Sequence, residues 1–244
     1  MQPTHVPPRL MQRLAVRRAI SALSLFAALA LFLLWIPSSS RRLLISNLIA
    51  NRLLIVLLFS FALMALSLFW ARGQALDIWL FRRVNVRGDR PNVWLDRAMW
   101  AVTQIGSVWM AGLIGASAYV LRQRHFAIGF ILGSLTLLLL VTIIKFLTDR
   151  ARPFRVMTET RVIGVREPGL SFPSGHTTQT FFMMTLIVAY FEPLWLLSAA
   201  LYGIALLVGV TRVYLGVHYP RDVMAGAVLG VLWGMLAILV APYL

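Results

Sequence analysis

The sequence predicts an all-α, polytopic membrane protein. Of its 244 residues 60% are hydrophobic, mean hydropathy is +0.82, and only 13% are charged, where a soluble domain carries about a quarter. Several apolar runs reach the roughly 20 residues that cross a bilayer as a helix. The runs follow one another without a long polar insert. They therefore imply one membrane domain, 41–244, behind a basic N-terminal extension, 1–40.

The extension carries Arg9, Arg13, Arg17 and Arg18 and then an apolar segment, Ala19–Ile36, closed by Pro-Ser-Ser-Ser. This resembles a signal peptide, but the apolar part is long and no A-x-A site follows. A signal anchor or an additional helix is the better reading. The first core span is Leu53–Ala71. Residues 72–100 mix arginines and aspartates with Trp79, Trp94 and Trp100, and read as an interfacial loop with amphipathic pieces. Further spans are expected at about Ile105–Leu121, Phe126–Leu147, Thr177–Phe191, Leu194–Val213 and Val223–Ala241, which makes six core helices. The short Glu192–Pro193 break makes its neighbours antiparallel.

The chain has no cysteine, which excludes disulfides, thiolate chemistry and Cys-ligated zinc. Its formal net charge is +15, and Lys145 is the single lysine among 23 basic residues. Basic loops suit anionic lipid headgroups. With no polar domain and no nucleic-acid motif, a nucleic-acid partner is not expected.

Three polar clusters fall at helix ends: Lys145–Pro153, Pro173–His176 and Arg212–Asp222. Helix alternation brings all three to one membrane face. Lys145, Arg152 and Arg212 supply fixed positive charge, and arginine can grip a phosphate through two parallel hydrogen bonds. Ser174 fits a helix N-cap, and Gly175 opens the helix that follows. Free N–H groups at a helix start bind anions, and a glycine lets the anion come close to the backbone. His176 and His218 suggest a division of labour, one attacking phosphorus and the other protonating the leaving oxygen. Pro220 fits the first helical position, so His218 and Asp222 lie on neighbouring turns, where the carboxylate can orient the imidazole. Each residue alone has an ordinary explanation as a cap, a first-turn acid or a headgroup-facing base. Their conjunction on one face does not.

These residues spell Lys145-x6-Arg152-Pro153, Pro173-Ser174-Gly175-His176 and Arg212-x5-His218-x3-Asp222. The pattern resembles the type 2 phosphatidic acid phosphatase superfamily over residues 145–222, with Thr211 where the family has serine. The resemblance implies a six-helix membrane core over about Leu53–Ala241. It implies Lys145, Arg152, Arg212, Ser174 and Gly175 as phosphate ligands and His218 as a nucleophile that forms a phosphohistidine. Asp222 is then its orienting partner and His176 the acid for the leaving group. It implies no metal and no other cofactor, in keeping with the few acidic residues near these motifs. Soluble vanadium haloperoxidases share the motifs, but the apolar spans exclude a soluble enzyme.

The implied substrate is a membrane lipid phosphate or diphosphate: phosphatidic acid, phosphatidylglycerol phosphate or undecaprenyl diphosphate. The segment 154–170, with Arg155, Arg161 and Arg166, is either a lid that selects among them or a solvated loop. A phosphotransferase using the same phosphohistidine is the nearest alternative. A non-enzymatic lipid transporter is a more distant one, since it has no need of His218 spaced to Asp222. The family places its site outside the cytoplasm of the cell membrane. The positive-inside rule opposes this, with fourteen basic residues on the active-site face of the core against five on the other. We side with the family, because several of the fourteen have ligand duties. The extension 1–40 then need not cross.

Overall fold

Helices account for nearly every span in the computed structural model, which describes residues 46, 47, 49–85 and 92–241. The extension 1–40 and its segment Ala19–Ile36 lie outside the described residues. The residues from Asn47 onward form one unit. Helix α1, Arg52–Leu66, starts at Asn51, whose side chain accepts the Leu54 N–H at 3.2 Å, satisfying one free donor of the first turn. A 3₁₀ turn, Ser67–Phe69, leads into α2, Ala71–Asn85. Then come α3, Val93–Thr103, and α4, Val108–Val120. The long α5, Arg124–Thr148, ends at Asp149 in a left-handed conformation. A one-turn α6, Pro153–Val156, precedes the site loop. Helices α7, Gly175–Phe191, α8, Trp195–Tyr214, and α9, Pro220–Val240, complete the bundle.

Two expectations need correction. The described residues of 72–100, expected as an interfacial loop with amphipathic pieces, are mostly helical, in α2 and α3. The acid Asp96 of α3 is paired with Arg161 at 2.8 Å. The span expected at Ile105–Leu121 is not one straight helix: α3 and α4 meet at a 51° bend. The bend falls at Gly106–Ser107. Ser107 caps α4 by accepting the Met110 N–H. A Cβ on Gly106 would lie 2.6 Å from the His176 carbonyl oxygen, so only glycine lets the bend press against α7. Among the described residues, four helices are long and apolar enough to cross a membrane, or five if the bent pair is one span. Six were expected. Helix α7 has 17 residues and begins with a polar turn.

Helices α7 and α9 form the centre. Gly226, Gly230 and Gly234 recur every four residues on α9 and face α7. A Cβ at Gly226 would come 2.9 Å from the Ser174 carbonyl oxygen, and one at Gly234 2.7 Å from Thr185. Small residues at this spacing let two backbones approach closely, the usual basis of helix association where lipid removes the hydrophobic drive. The contact fixes α7 against α9 at the end that carries the polar motifs: the Ser174 N–H donates to the Asp222 carbonyl at 3.0 Å.

Candidate active site

Two chain turns place the histidine and the carboxylate that the spacing paired. After α8, Gly216 takes φ +81°, and a side chain there would strike the Arg161 carbonyl. The turn sends the Val217 and His218 N–H groups back to the Arg212 carbonyl. Pro220 then opens α9 at its first position, and Asp222 accepts the Tyr219 N–H at 2.8 Å. His218 and Asp222 are buried, with Nδ1 3.5 Å from Oδ2. Ser171 lies between them: its hydroxyl donates to Asp222 Oδ2 at 2.5 Å and stands 3.5 Å from His218 Nδ1. The other ring nitrogen, Nε2, faces Arg152 Nη1 at 3.5 Å. The two nitrogens thus have different duties, one toward the carboxylate and one toward the cations. Burial, then the charges of Arg152, Arg212 and Lys145, push the His218 imidazole well below its usual range. It is therefore neutral near pH 7, the form with a lone pair to give.

The expected cations gather around it. Arg152, just ahead of Pro153, and Arg212, in the last turn of α8, are each only 2% exposed. Their guanidinium groups are bridged by Glu167. One carboxylate oxygen takes Arg152 at 2.9 Å and the other takes Arg212. Arg212 also donates to Thr103 at 2.9 Å. Lys145 stands in the last turn of α5 beside Gly175, where a Cβ would be 3.8 Å from Nζ. Ser174 holds the N-cap position of α7 but does not cap it through its side chain. Its hydroxyl instead accepts from Thr177 at 2.9 Å. The first-turn N–H groups therefore have no side-chain cap from Ser174, as the anion cradle requires. His176 lines the same cavity as Lys145, Arg152 and Glu167.

The structure adds residues that the sequence reading missed. Arg150, inside the first cluster, binds Asp222 Oδ1 at 2.6 Å and Asp77 Oδ2 at 2.5 Å, and lies over the Tyr219 ring at 4.3 Å. Asp77 also takes the Arg221 Nε at 2.7 Å and its backbone N–H at 3.0 Å. Asp222 is thus anchored through Arg150 and Asp77 to α2. A signal existed: Gly73, Asp77, Phe81 and Asn85, all buried, recur every four residues, a helical stripe with an acid in it. Ser171 and the role of Glu167 gave no such signal, because they lie in a loop without periodicity.

That loop is not simply solvated. Asn85 donates to the Arg161 and Tyr214 carbonyls, both at 2.8 Å, and accepts the Arg161 N–H at 3.0 Å. Arg161 clamps Asp96 with two hydrogen bonds, at 2.8 and 2.9 Å. Beside the loop a cavity of about 420 Å³ runs from Arg152, Glu167 and His176 down an apolar wall of α4 and α5 that includes Ala111, Phe130 and Leu138.

The chain has relatives among known proteins. The family model described as "PAP2 superfamily" matches residues 124–244. The chain is 30% identical over 176 residues to the bacitracin transport permease protein BcrC of Bacillus licheniformis, covering 69% of this chain and 82% of that one. It is 30% identical over 156 residues to phosphatidylglycerophosphatase B of Bacillus subtilis, covering 57% and 71%. The crystal structure of a transmembrane PAP2-type phosphatidylglycerolphosphate phosphatase from Bacillus subtilis superposes with a TM-score of 0.63 at 26% identity, over 76% of this chain and 94% of that one.

Proposed function

For a chain that belongs to the PAP2 superfamily, and is a membrane hydrolase of phosphate esters, we propose a lipid phosphate or diphosphate phosphatase acting through a phosphohistidine on His218. The observation that carries this reading is the division of the His218 ring, with Nδ1 toward Asp222 and Ser171 and Nε2 toward Arg152. In the first step Nε2 donates its electron pair to phosphorus, and the bond from phosphorus to the lipid oxygen breaks. Burial and the Arg212 charge push His176 down to about 3 in the free site, so it takes up its proton when the substrate dianion binds beside it, and it then gives that proton to the leaving oxygen. The imidazole becomes cationic, and Asp222 opposite Nδ1 stabilises it. Lys145, Arg152, Arg212 and the start of α7 offset the charge on the equatorial oxygens. In the second step His176, now neutral, takes a proton from water as the water oxygen attacks phosphorus. The N–P bond breaks, phosphate leaves, and His218 is neutral again.

The apolar wall leading to His176 supports a lipid substrate. A chain lying along α4 and α5 delivers its phosphate to the cations without leaving the bilayer. Phosphatidic acid, phosphatidylglycerol phosphate and undecaprenyl diphosphate all meet this description. Transport, raised by the name of the Bacillus licheniformis relative, is the second reading. A transporter's headgroup site has no use for a nucleophile held by a buried carboxylate.

The test is phosphate release by purified protein from a panel of these lipids in excess chelator, with and without an acceptor lipid. We expect release to continue under chelation and to be blocked by vanadate, which adopts the five-coordinate geometry of the transition state. Activity lost with chelator and restored by magnesium would refute the mechanism. Transfer only to the acceptor would make the enzyme a phosphotransferase.

The site is proposed to face the extracytoplasmic side. Much of the positive charge on that face is paired within the fold, as in Arg82–Glu159, Arg161–Asp96 and Arg221–Asp77, so those arginines have structural partners. A cysteine replacing the exposed Arg166 is expected to react with a membrane-impermeant thiol reagent in intact cells. One replacing the exposed Gln123 is not. The native chain has no cysteine, so background is absent. The reverse labelling pattern would invert the orientation and leave the chemistry intact.

A further inference from the structure

Glu167 sits where the substrate belongs. Its two oxygens bridge the buried guanidinium groups of Arg152 and Arg212, as two oxygens of a phosphate would. Burial alone would raise its pKa. The Arg212 charge and the Arg212 hydrogen bond outweigh this and hold the carboxyl well below the usual range, so it is anionic near neutral pH. A phosphate cannot occupy both arginines while Glu167 does.

The segment around Glu167 is a short, mostly exposed strap, held to the site by the carboxylate and by the Pro168 carbonyl, which accepts from Arg152 at 3.4 Å. Gly164 and Gly169 flank it, both in the left-handed region at φ +83° and +88°. Residues 164–166, 168 and 169 are exposed. The chain is fixed on either side: Ile163 N–H donates to the Leu215 carbonyl, and Ser171 N–H to the Arg150 carbonyl at 2.8 Å. A short strap between two anchors can lift Glu167 without disturbing His218 or Asp222. The arginines also hold donors in excess of what a carboxylate takes. Arg152 Nε and Arg212 Nε are buried and meet no acceptor among the described residues, whereas a phosphate brings more oxygens than a carboxylate.

Resting on the phosphatase reading above, we propose that Glu167 is an internal mimic of the substrate phosphate: it competes with every anion for Arg152 and Arg212, and its return displaces the product phosphate. Such a competitor lowers the affinity of all anionic ligands by one common factor, because each must bind the fraction of molecules in which Glu167 has lifted. A structural salt bridge does the opposite, since its removal disorders the arginines and weakens binding.

The two roles differ in sign, so inhibition constants separate them. In Glu167→Gln the inhibition constants of inorganic phosphate and vanadate, and the KM for a lipid phosphate, are expected to fall together by about tenfold. kcat should fall or stay level, because product phosphate is now held longer. Glu167→Asp keeps the charge but is one methylene too short to bridge both arginines, and is expected to lie between. Weaker or unchanged binding of phosphate in a turning-over Glu167→Gln enzyme would overturn the proposal while leaving the phosphatase reading intact. The wild-type protein offers an independent test. Saturating vanadate is expected to increase hydrogen exchange at residues 164–169, and unchanged or slower exchange there would also overturn it. A wild-type protein that releases no phosphate from any lipid would instead refute the phosphatase reading, and the exchange measurement would still judge the strap.

Discussion

Replacing His218 with alanine is expected to lower phosphate release by about 10⁴-fold or more, the scale seen when a covalent nucleophile is removed and only binding and charge stabilisation remain. Of the ring's two nitrogens, Nε2 faces the arginines and has no substitute among the neighbours described. Serine or water could enter the space, but neither would carry the Asp222 contact. The fold should tolerate the change. His218 lies in a turn between α8 and α9, held by its own N–H to the Arg212 carbonyl, and its neutral side chain makes no ion pair in the resting protein, only the 3.5 Å contact with Asp222. The measurement is initial rate against a lipid phosphate, beside thermal unfolding in the same detergent. Near wild-type turnover by a folded His218→Ala protein would remove the phosphohistidine from the mechanism.

Asp222→Asn is expected to reduce kcat by about 10³-fold and also to destabilise the protein, and the two effects have separate causes. The catalytic loss follows from orientation and charge. Asp222 faces Nδ1, so the carboxylate both selects the tautomer with a free Nε2 lone pair and stabilises the imidazolium as phosphorus bonds. The stability loss follows from the company Asp222 keeps. It accepts from Ser171, from the Tyr219 N–H and from Arg150. An asparagine can accept with one oxygen only, and its NH₂ would meet a donor. Arg150 would keep Asp77 but lose its second carboxylate, and breaking a buried pair costs about 3–5 kcal/mol when one partner is removed. The paired measurement is single-turnover rate and unfolding temperature. A fall in stability with an unchanged rate would show that Asp222 only braces the fold. An unchanged unfolding temperature would show that Arg150 and Asp77 do not depend on it.

The membrane class and the motifs that carry the site were legible because they rest on local chemistry. Apolar runs long enough to span a bilayer declare themselves residue by residue. Lys145, Arg152, His176, Arg212, His218 and Asp222 fall at the ends of those runs, where alternation alone sends them to one face. The pairing of His218 with Asp222 needed only one helical turn and a proline to start it.

What the tertiary structure decided lies between segments. The bend between α3 and α4 comes from Gly106 meeting the His176 backbone across 70 residues, a contact that no hydropathy window contains. Asp96 lay in a stretch expected to be an interfacial loop, and the fold clamps it with Arg161. Ser174 suited an N-cap by residue type, but Thr177 takes its hydroxyl in the packed core of α7. Asp77 and Arg150 became part of the site because a buried charge must find an opposite charge, wherever the chain folds one nearby. Glu167 is the clearest case. Sequence shows one acid in a basic loop, and only the fold shows it between the two arginines that are expected to hold the phosphate.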